Sequence, residues 1–232
     1  KTDFIDEHYY RSPEWFLQNA RRYDNYPSDG SKIFAGEYAA QSDRPTSANN
    51  VNSWLTSISE AAFMTGLERN AGVVEMASYA PLFAHADGWQ WTPDLIWVNN
   101  LQAYGTPDYQ VQKLFSLYKG TRVLPITLNS DVVAGQDSLY ASACMDEKTN
   151  ELIIKLVNAS GKQQDNTIEV QGIKKLATRA MLTTLKADPA SRNSFDQPKN
   201  ISPIESEQPI NGRNIKINSS PYSFTVVRVK MR

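Results

Sequence analysis

In the first half of the chain, apolar positions switch repeatedly between short continuous runs and helical spacing. That alternation is the pattern of β/α units. Ser12-Pro13-Glu14 supplies a capping hydroxyl, a proline at the first helical position and an acid in the first turn. A stripe through Phe16, Ala20 and Tyr23 follows, so the spacing predicts a helix over 13–24. The apolar run 32–39 reads as a buried strand. Asn50 is placed to cap a longer helix, with Val51, Trp54, Leu55, Ile58 and Ala62 on one face and Gly72 as its closing C′ residue. The run 73–79 is a further strand, and Thr106-Pro107-Asp108 opens a helix through Val111, Leu114, Phe115 and Tyr118 that stops at Gly120. Three strand-then-helix units are too few to close a (β/α)8 barrel, which takes about 250 residues.

From about residue 122 the helical spacing disappears. Strand-like segments recur at 152–157, 167–170, 177–185, 214–218 and 222–230, separated by turns rich in Gly, Asn, Asp and Pro. This predicts a β-sandwich or jelly roll. The polar, proline-containing stretch 186–209 reads as a long loop within it. The expected division is therefore 1–121 for the β/α part and 122–232 for the β part.

Composition narrows the partners. With 41% hydrophobic residues the chain can bury a core, and Lys+Arg 24 against Asp+Glu 25 leaves a net charge of −1. No basic run or long apolar segment points to nucleic acid or a membrane. Cys144 is alone and only two histidines are present, too few for the usual zinc ligand sets, so neither a disulfide nor a metal or cofactor is expected.

Phe34-Ala35-Gly36-Glu37-Tyr38 sets a carboxylate at the C-terminal end of an apolar strand, where barrel enzymes hold their catalytic groups. On this local pattern alone Glu37 could equally be a solvent-facing strand end. Asp6-Glu7-His8-Tyr9-Tyr10 ends the preceding strand and brings a histidine and a phenol to the same rim. A tyrosine hydroxyl there would hold a carboxylate ionised and oriented. Asp87-Gly88-Trp89-Gln90-Trp91-Thr92-Pro93-Asp94 combines flat rings, amides and carboxylates, as sugar sites do, although such rings also plug barrel ends. G-x-S-x-G, H-E-x-x-H and phosphate-loop patterns do not occur.

The segments DEHYYRSPEWF (6–16), FAGEYA (34–39), SEAAFMTGLERN (59–70), MASYAPLFA (76–84) and DGWQWTPDLIW (87–97), continued by NSFD (193–196) and PYSF (221–224), together resemble the α-L-arabinofuranosidases of glycoside hydrolase family 51. The resemblance implies the last strands of a (β/α)8 barrel, about six to eight, followed by a β-sandwich. It also implies retaining hydrolysis of terminal non-reducing α-L-arabinofuranosides from arabinan or arabinoxylan. Glu37 maps onto the family's nucleophile and Tyr10 onto the residue that orients it. His8 maps onto a sugar contact and Glu75 onto a glutamine that touches the furanose in relatives, while Trp89 and Trp91 are expected to bind substrate.

The family's acid/base glutamate stands in an Asn-Glu pair after strand four. The only Asn-Glu of this chain, Asn150-Glu151, introduces a β segment of the second half and is rejected for that role. The start KTDFIDEHYY carries neither an initiator Met nor a signal-peptide pattern and reads as an internal cut. The acid/base is therefore expected to be absent from this chain and supplied by the N-terminal half of a parent enzyme, itself expected to be periplasmic or secreted. Alone, the chain is expected to be inactive and to self-associate through exposed barrel edges. One rival reading makes the β part a non-catalytic carbohydrate-binding module, and another makes the chain a structural subunit with His8, Tyr10 and Glu37 scattered.

Overall fold

A computed structural model describes residues 2–232. The first part contains β1 (Phe4–Arg11), α1 (Pro13–Gln18), β2 (Lys32–Ala40), α2 (Trp54–Arg69) and β3 (Val74–Tyr79). The three strands form a parallel sheet in the order β1-β2-β3. Short strands β4 (Phe83–His85), β5 (Ile96–Val98) and β6 (Ala103–Gly105) form a second small sheet ahead of α3 (Pro107–Leu117).

The helix ends correct three sequence expectations. The first helix stops at Gln18, because the Asn19 amide folds back onto the Trp15 carbonyl at 2.8 Å and the chain then turns. The second helix is capped by Ser53, whose hydroxyl accepts from the Thr56 N–H, and not by Asn50. The Asn50 side chain is already committed, donating to Gln41 Oε1 at 2.6 Å and the Arg44 carbonyl at 3.1 Å and accepting from the Asp43 N–H. Asn70 closes α2, and Gly72 lies beyond it without the left-handed backbone of a C′ glycine. The third helix starts as expected, with the Thr106 hydroxyl accepting from the Tyr109 N–H.

Helix α2 is buried on nearly every side, which removes the usual need for a polar face. It contacts α1, α3, β2 and β3 of the first part and β strands of the second half. Small residues allow the close approach: a Cβ on Gly66 would lie 2.1 Å from the Ala20 carbonyl oxygen.

Beyond α3 the chain is almost entirely β: β7 (Arg122–Leu124), β8 (Thr127–Leu128), β9 (Asp131–Val132), β10 (Leu139–Asp146), β11 (Glu151–Asn158), β12 (Gln164–Glu169), β13 (Arg179–Lys186), β14 (Ile204–Pro209), β15 (Asn214–Ser219) and β16 (Ser223–Lys230). Six of these form one antiparallel sheet in the order β14-β13-β16-β11-β10-β7, and β12 pairs with β15. Ala143, Ile154 and Val227 bury one face of the large sheet together with Ile215 and Ile217 of β15. The opposite face turns Cys144, Ile153, Phe224 and Val226 into the core that also holds α2 and α3, with Phe224 stacked on Phe115 at 5.2 Å.

Strand β14 corrects the reading of 186–209 as loop throughout. It is an edge strand paired only to β13, mostly exposed and ending in proline, so no buried alternation marks it in the sequence. The junction between the two parts carries a buried ion pair. Lys155, fully buried on β11, donates to Glu68 of α2 and to the Tyr118 carbonyl at 2.7 Å, while the Ser142 hydroxyl also donates to Glu68.

Candidate active site

Successive side chains of a strand alternate in direction, so β1 divides its polar residues between two environments. Glu7 and Tyr9 face one way. Glu7 accepts from the Tyr23 hydroxyl at 2.9 Å and the Tyr26 hydroxyl at 3.3 Å and pairs with Arg22 at 3.2 Å. It is committed to a structural network, and this carboxylate pushes up the phenols of Tyr23 and Tyr26, after burial as the main cause.

Asp6, His8 and Tyr10 face the other way. An irregularity between Asp6 and His8 shifts the register so that His8 lies opposite Glu37 of β2. The Tyr10 hydroxyl donates to Glu37 Oε2 at 2.7 Å, His8 Nδ1 is 3.5 Å from the same oxygen, and His8 Nε2 is 3.0 Å from Asp6 Oδ2. A chain Asp6–His8–Glu37–Tyr10 results. Gly36 makes room for it, since a Cβ there would lie 2.1 Å from Asp6 Oδ1. The Ser78 hydroxyl of β3 donates to the Gly36 carbonyl and ties down the turn of chain before Glu37. Burial, then the bond to Glu37, raises the Tyr10 phenol far above its ordinary range, so it stays protonated and remains a donor.

Glu75 of β3 makes no hydrogen bond to this group. It precedes Met76, which pairs with Phe34, so it lies near the start of β3. At about 3.3 Å of rise per residue, three positions separate it from Ser78 by about 10 Å along the strand. Trp89 and Trp91 are exposed. Trp89 lines a cleft of about 250 Å³ with Trp97, Tyr104, Arg192 and the buried amides of Asn50, Asn52 and Asn193. Trp91, His8, Tyr10 and Glu37 are not among its lining residues. Glu151 opens β11, where Lys230 lies 3.5 Å and Arg228 3.8 Å away. Burial pushes the Cys144 thiol up to about 11, which leaves it unreactive.

Behind β2 lies a group of buried acids that sequence reasoning missed. Glu60 of α2 accepts from the Ala40 N–H at 2.8 Å and is fully buried, so burial, reinforced by the Asp108 charge, raises its carboxyl well above the ordinary range. Burial raises Asp108 and Asp94 from 3.8 to about 6. Asn52 links them, donating to Asp108 at 3.0 Å and to the Tyr79 hydroxyl at 2.9 Å and accepting from the Asp94 N–H. The available signal was that Glu60 is the only charged residue between Val51 and Leu67.

Each of these acids binds its proton more tightly folded than unfolded. Between the two pKa values the folded state holds more protons, so stability falls as pH rises from about 4 to above 6. The urea midpoint is expected to be lower at pH 7.5 than at pH 5, and Glu60→Gln, neutral throughout, should flatten that slope. A Glu60→Gln profile as steep as that of the natural chain would refute the assignment.

The family model of the α-L-arabinofuranosidase C-terminal domain matches residues 36–223. The extracellular exo-α-L-arabinofuranosidase of Streptomyces chartreusis is 54% identical over 124 residues, 53% of this chain and 14% of that protein. α-L-Arabinofuranosidase 1 of Arabidopsis thaliana is 32% identical over 97% of this chain and 33% of its own length. The arabinose-bound α-L-arabinofuranosidase MgGH51 superposes with a TM-score of 0.90 at 32% identity, covering 99% of this chain and 37% of that one. The Thermotoga maritima α-L-arabinofuranosidase arabinose complex shares the fold, with a TM-score of 0.74 at 17% identity over 99% of this chain and 53% of that one. The chain thus spans about a third of the length of the Arabidopsis relative, whose match runs along nearly all of it. With the family model covering most of its residues, the chain belongs to the α-L-arabinofuranosidases of glycoside hydrolase family 51, as part of their C-terminal region.

Proposed function

We propose that Glu37 is the nucleophile of a retaining α-L-arabinofuranosidase acting on terminal non-reducing α-L-arabinofuranosides of arabinan or arabinoxylan type. The observation that carries this reading is the convergence of Tyr10 and His8 on one oxygen of Glu37. A tyrosine that keeps its proton holds one oxygen of Glu37 and fixes which oxygen is free to attack. In this reading residues 1–121 are strands six to eight of a (β/α)8 barrel with their helices, and residues 122–232 form a β-sandwich.

The reaction is a double displacement. A carboxylate oxygen of Glu37 attacks the anomeric carbon, the bond to the aglycone oxygen breaks, and that oxygen takes a proton from a second carboxylic acid. The resulting glycosyl ester of Glu37 is then attacked by water, which gives its proton to the same second group, and Glu37 is released. The two carboxyls must stand about 5–5.5 Å apart. The second group is assigned to the part of the parent enzyme outside this chain, because Glu151 is engaged with cations in the second half. His8 is the sugar contact beside the nucleophile, held by Asp6, and Trp89 and Trp91 extend the substrate surface.

Hydrolysis of 4-nitrophenyl α-L-arabinofuranoside by the full-length protein tests the reading, and its absence would overturn it. Tyr10→Phe removes one charge-assisted hydrogen bond, worth about 1.5–3 kcal/mol. It is expected to lower kcat about tenfold to a hundredfold with little change in KM. The carbohydrate-binding-module alternative predicts sugar affinity in the second half without turnover.

A further inference from the structure

The cleft that holds Trp89 is built by three separate segments: the loop after β2, the stretch from the β4–β5 loop through β6, and the loop between β13 and β14, which brings in Arg192 and Asn193. Its amides are already used. Asn52 is taken up by Tyr79, Asp108 and Asp94, and Asn193 donates to the Gly105 and Ile201 carbonyls and accepts from the Ile201 N–H. They build the walls and leave little to meet a ligand.

The groups left open have a different character. Among the described residues, the Arg192 guanidinium makes no ion pair or hydrogen bond. The indole N–H groups of Trp89 and Trp97 and the Tyr104 hydroxyl are likewise without partners there. Trp89 and Trp97 meet edge to face, 6.2 Å between ring centres, and Tyr104 is held edge to face by Phe195 at 4.9 Å. Rings fixed in this way offer a flat apolar wall at little cost in conformational entropy. A neutral sugar presents hydroxyls that need acceptors as well as donors, and this cleft offers mainly donors and one cation. A ring with an apolar C–H face and a carboxylate meets all of these groups at once.

We propose that this cleft binds a hexuronate residue, its carboxylate on Arg192 and its ring against Trp89 and Trp97. The natural substrate is then an acidic arabinofuranosyl polysaccharide, one that carries uronic acid as well as arabinofuranose. That last step rests on the reading of Glu37 above, whereas the binding itself does not.

Isothermal titration of the full-length protein with methyl β-D-glucuronide and methyl β-D-glucoside, which differ only in carboxylate against hydroxymethyl at C6, tests the proposal. The glucuronide is expected to bind about tenfold tighter or more, as one charge-assisted contact implies, and the preference should shrink with added salt. Arg192→Gln, an exposed position without contacts to lose, should remove the preference, and Trp89→Ala should weaken both ligands. Equal affinity for the two ligands, binding of neither, or a preference that survives Arg192→Gln would overturn it. Binding is read here without turnover, so this outcome is separate from any failure of the hydrolytic reading.

Discussion

Replacing Glu37 by glutamine in the full-length protein is expected to lower turnover of 4-nitrophenyl α-L-arabinofuranoside by about 10⁴-fold or more, as loss of a nucleophile does. The amide preserves shape and still accepts from Tyr10, but it cannot form the glycosyl ester. The effect should therefore fall on kcat and exceed that of Tyr10→Phe by at least about tenfold, because the tyrosine only orients the carboxylate. The 232-residue chain by itself is expected to show no turnover above background, since a single carboxyl can neither protonate the leaving oxygen nor activate water efficiently. Retention of a tenth of the activity by Glu37→Gln would sink the assignment. Turnover by the chain alone that Glu37→Gln abolishes would instead overturn the expectation of inactivity and place the acid/base within these residues.

The largest stability effect is expected at Lys155. Its ammonium is fully buried, bound to Glu68 and the Tyr118 carbonyl, and lies over the Phe115 ring at 5.2 Å. Lys155→Met fills much of the same volume but leaves the Glu68 carboxylate between Ser142 and Cys144 without its cation. Breaking a buried pair in this way typically costs about 3–5 kcal/mol. Replacing both partners, as in Lys155→Met with Glu68→Gln, should recover part of the loss, because no uncompensated charge remains. Urea denaturation reads both variants, and an unchanged midpoint for Lys155→Met would show that the pair does not hold the two parts together.

Several elements were legible because their causes are local. The Thr106 cap with Pro107 starts α3 where the sequence indicates, since a hydroxyl reaching the Tyr109 N–H depends on its near neighbours alone. The run that becomes β2 was visible because a strand largely buried on both faces is mostly apolar, here from Ile33 to Ala40 with Glu37 as the exception. Asn50 misled for the converse reason. Its residue type suits a helix cap, but a competing loop containing Gln41, Asp43 and Arg44 took its hydrogen bonds and left the cap to Ser53. Glu60 escaped notice because helical spacing marks a polar residue as solvent-facing unless the helix is covered on every side, as α2 is.

The amino-acid sequence alone determined the alternation of strands and helices before about residue 122, the β character after it, and the candidacy of His8, Tyr10 and Glu37 through their family resemblance. Periodicity and capping act over a few residues, and so they survive in the order of residues. Only the tertiary structure decided the rest. It set the register that faces His8 toward Glu37 and turned Glu7 away into a tyrosine network. It also buried Lys155 against Glu68 and joined Arg192 to Trp89 in one cleft. These outcomes depend on pairing and desolvation between segments far apart in the chain, for which local pattern carries no signal.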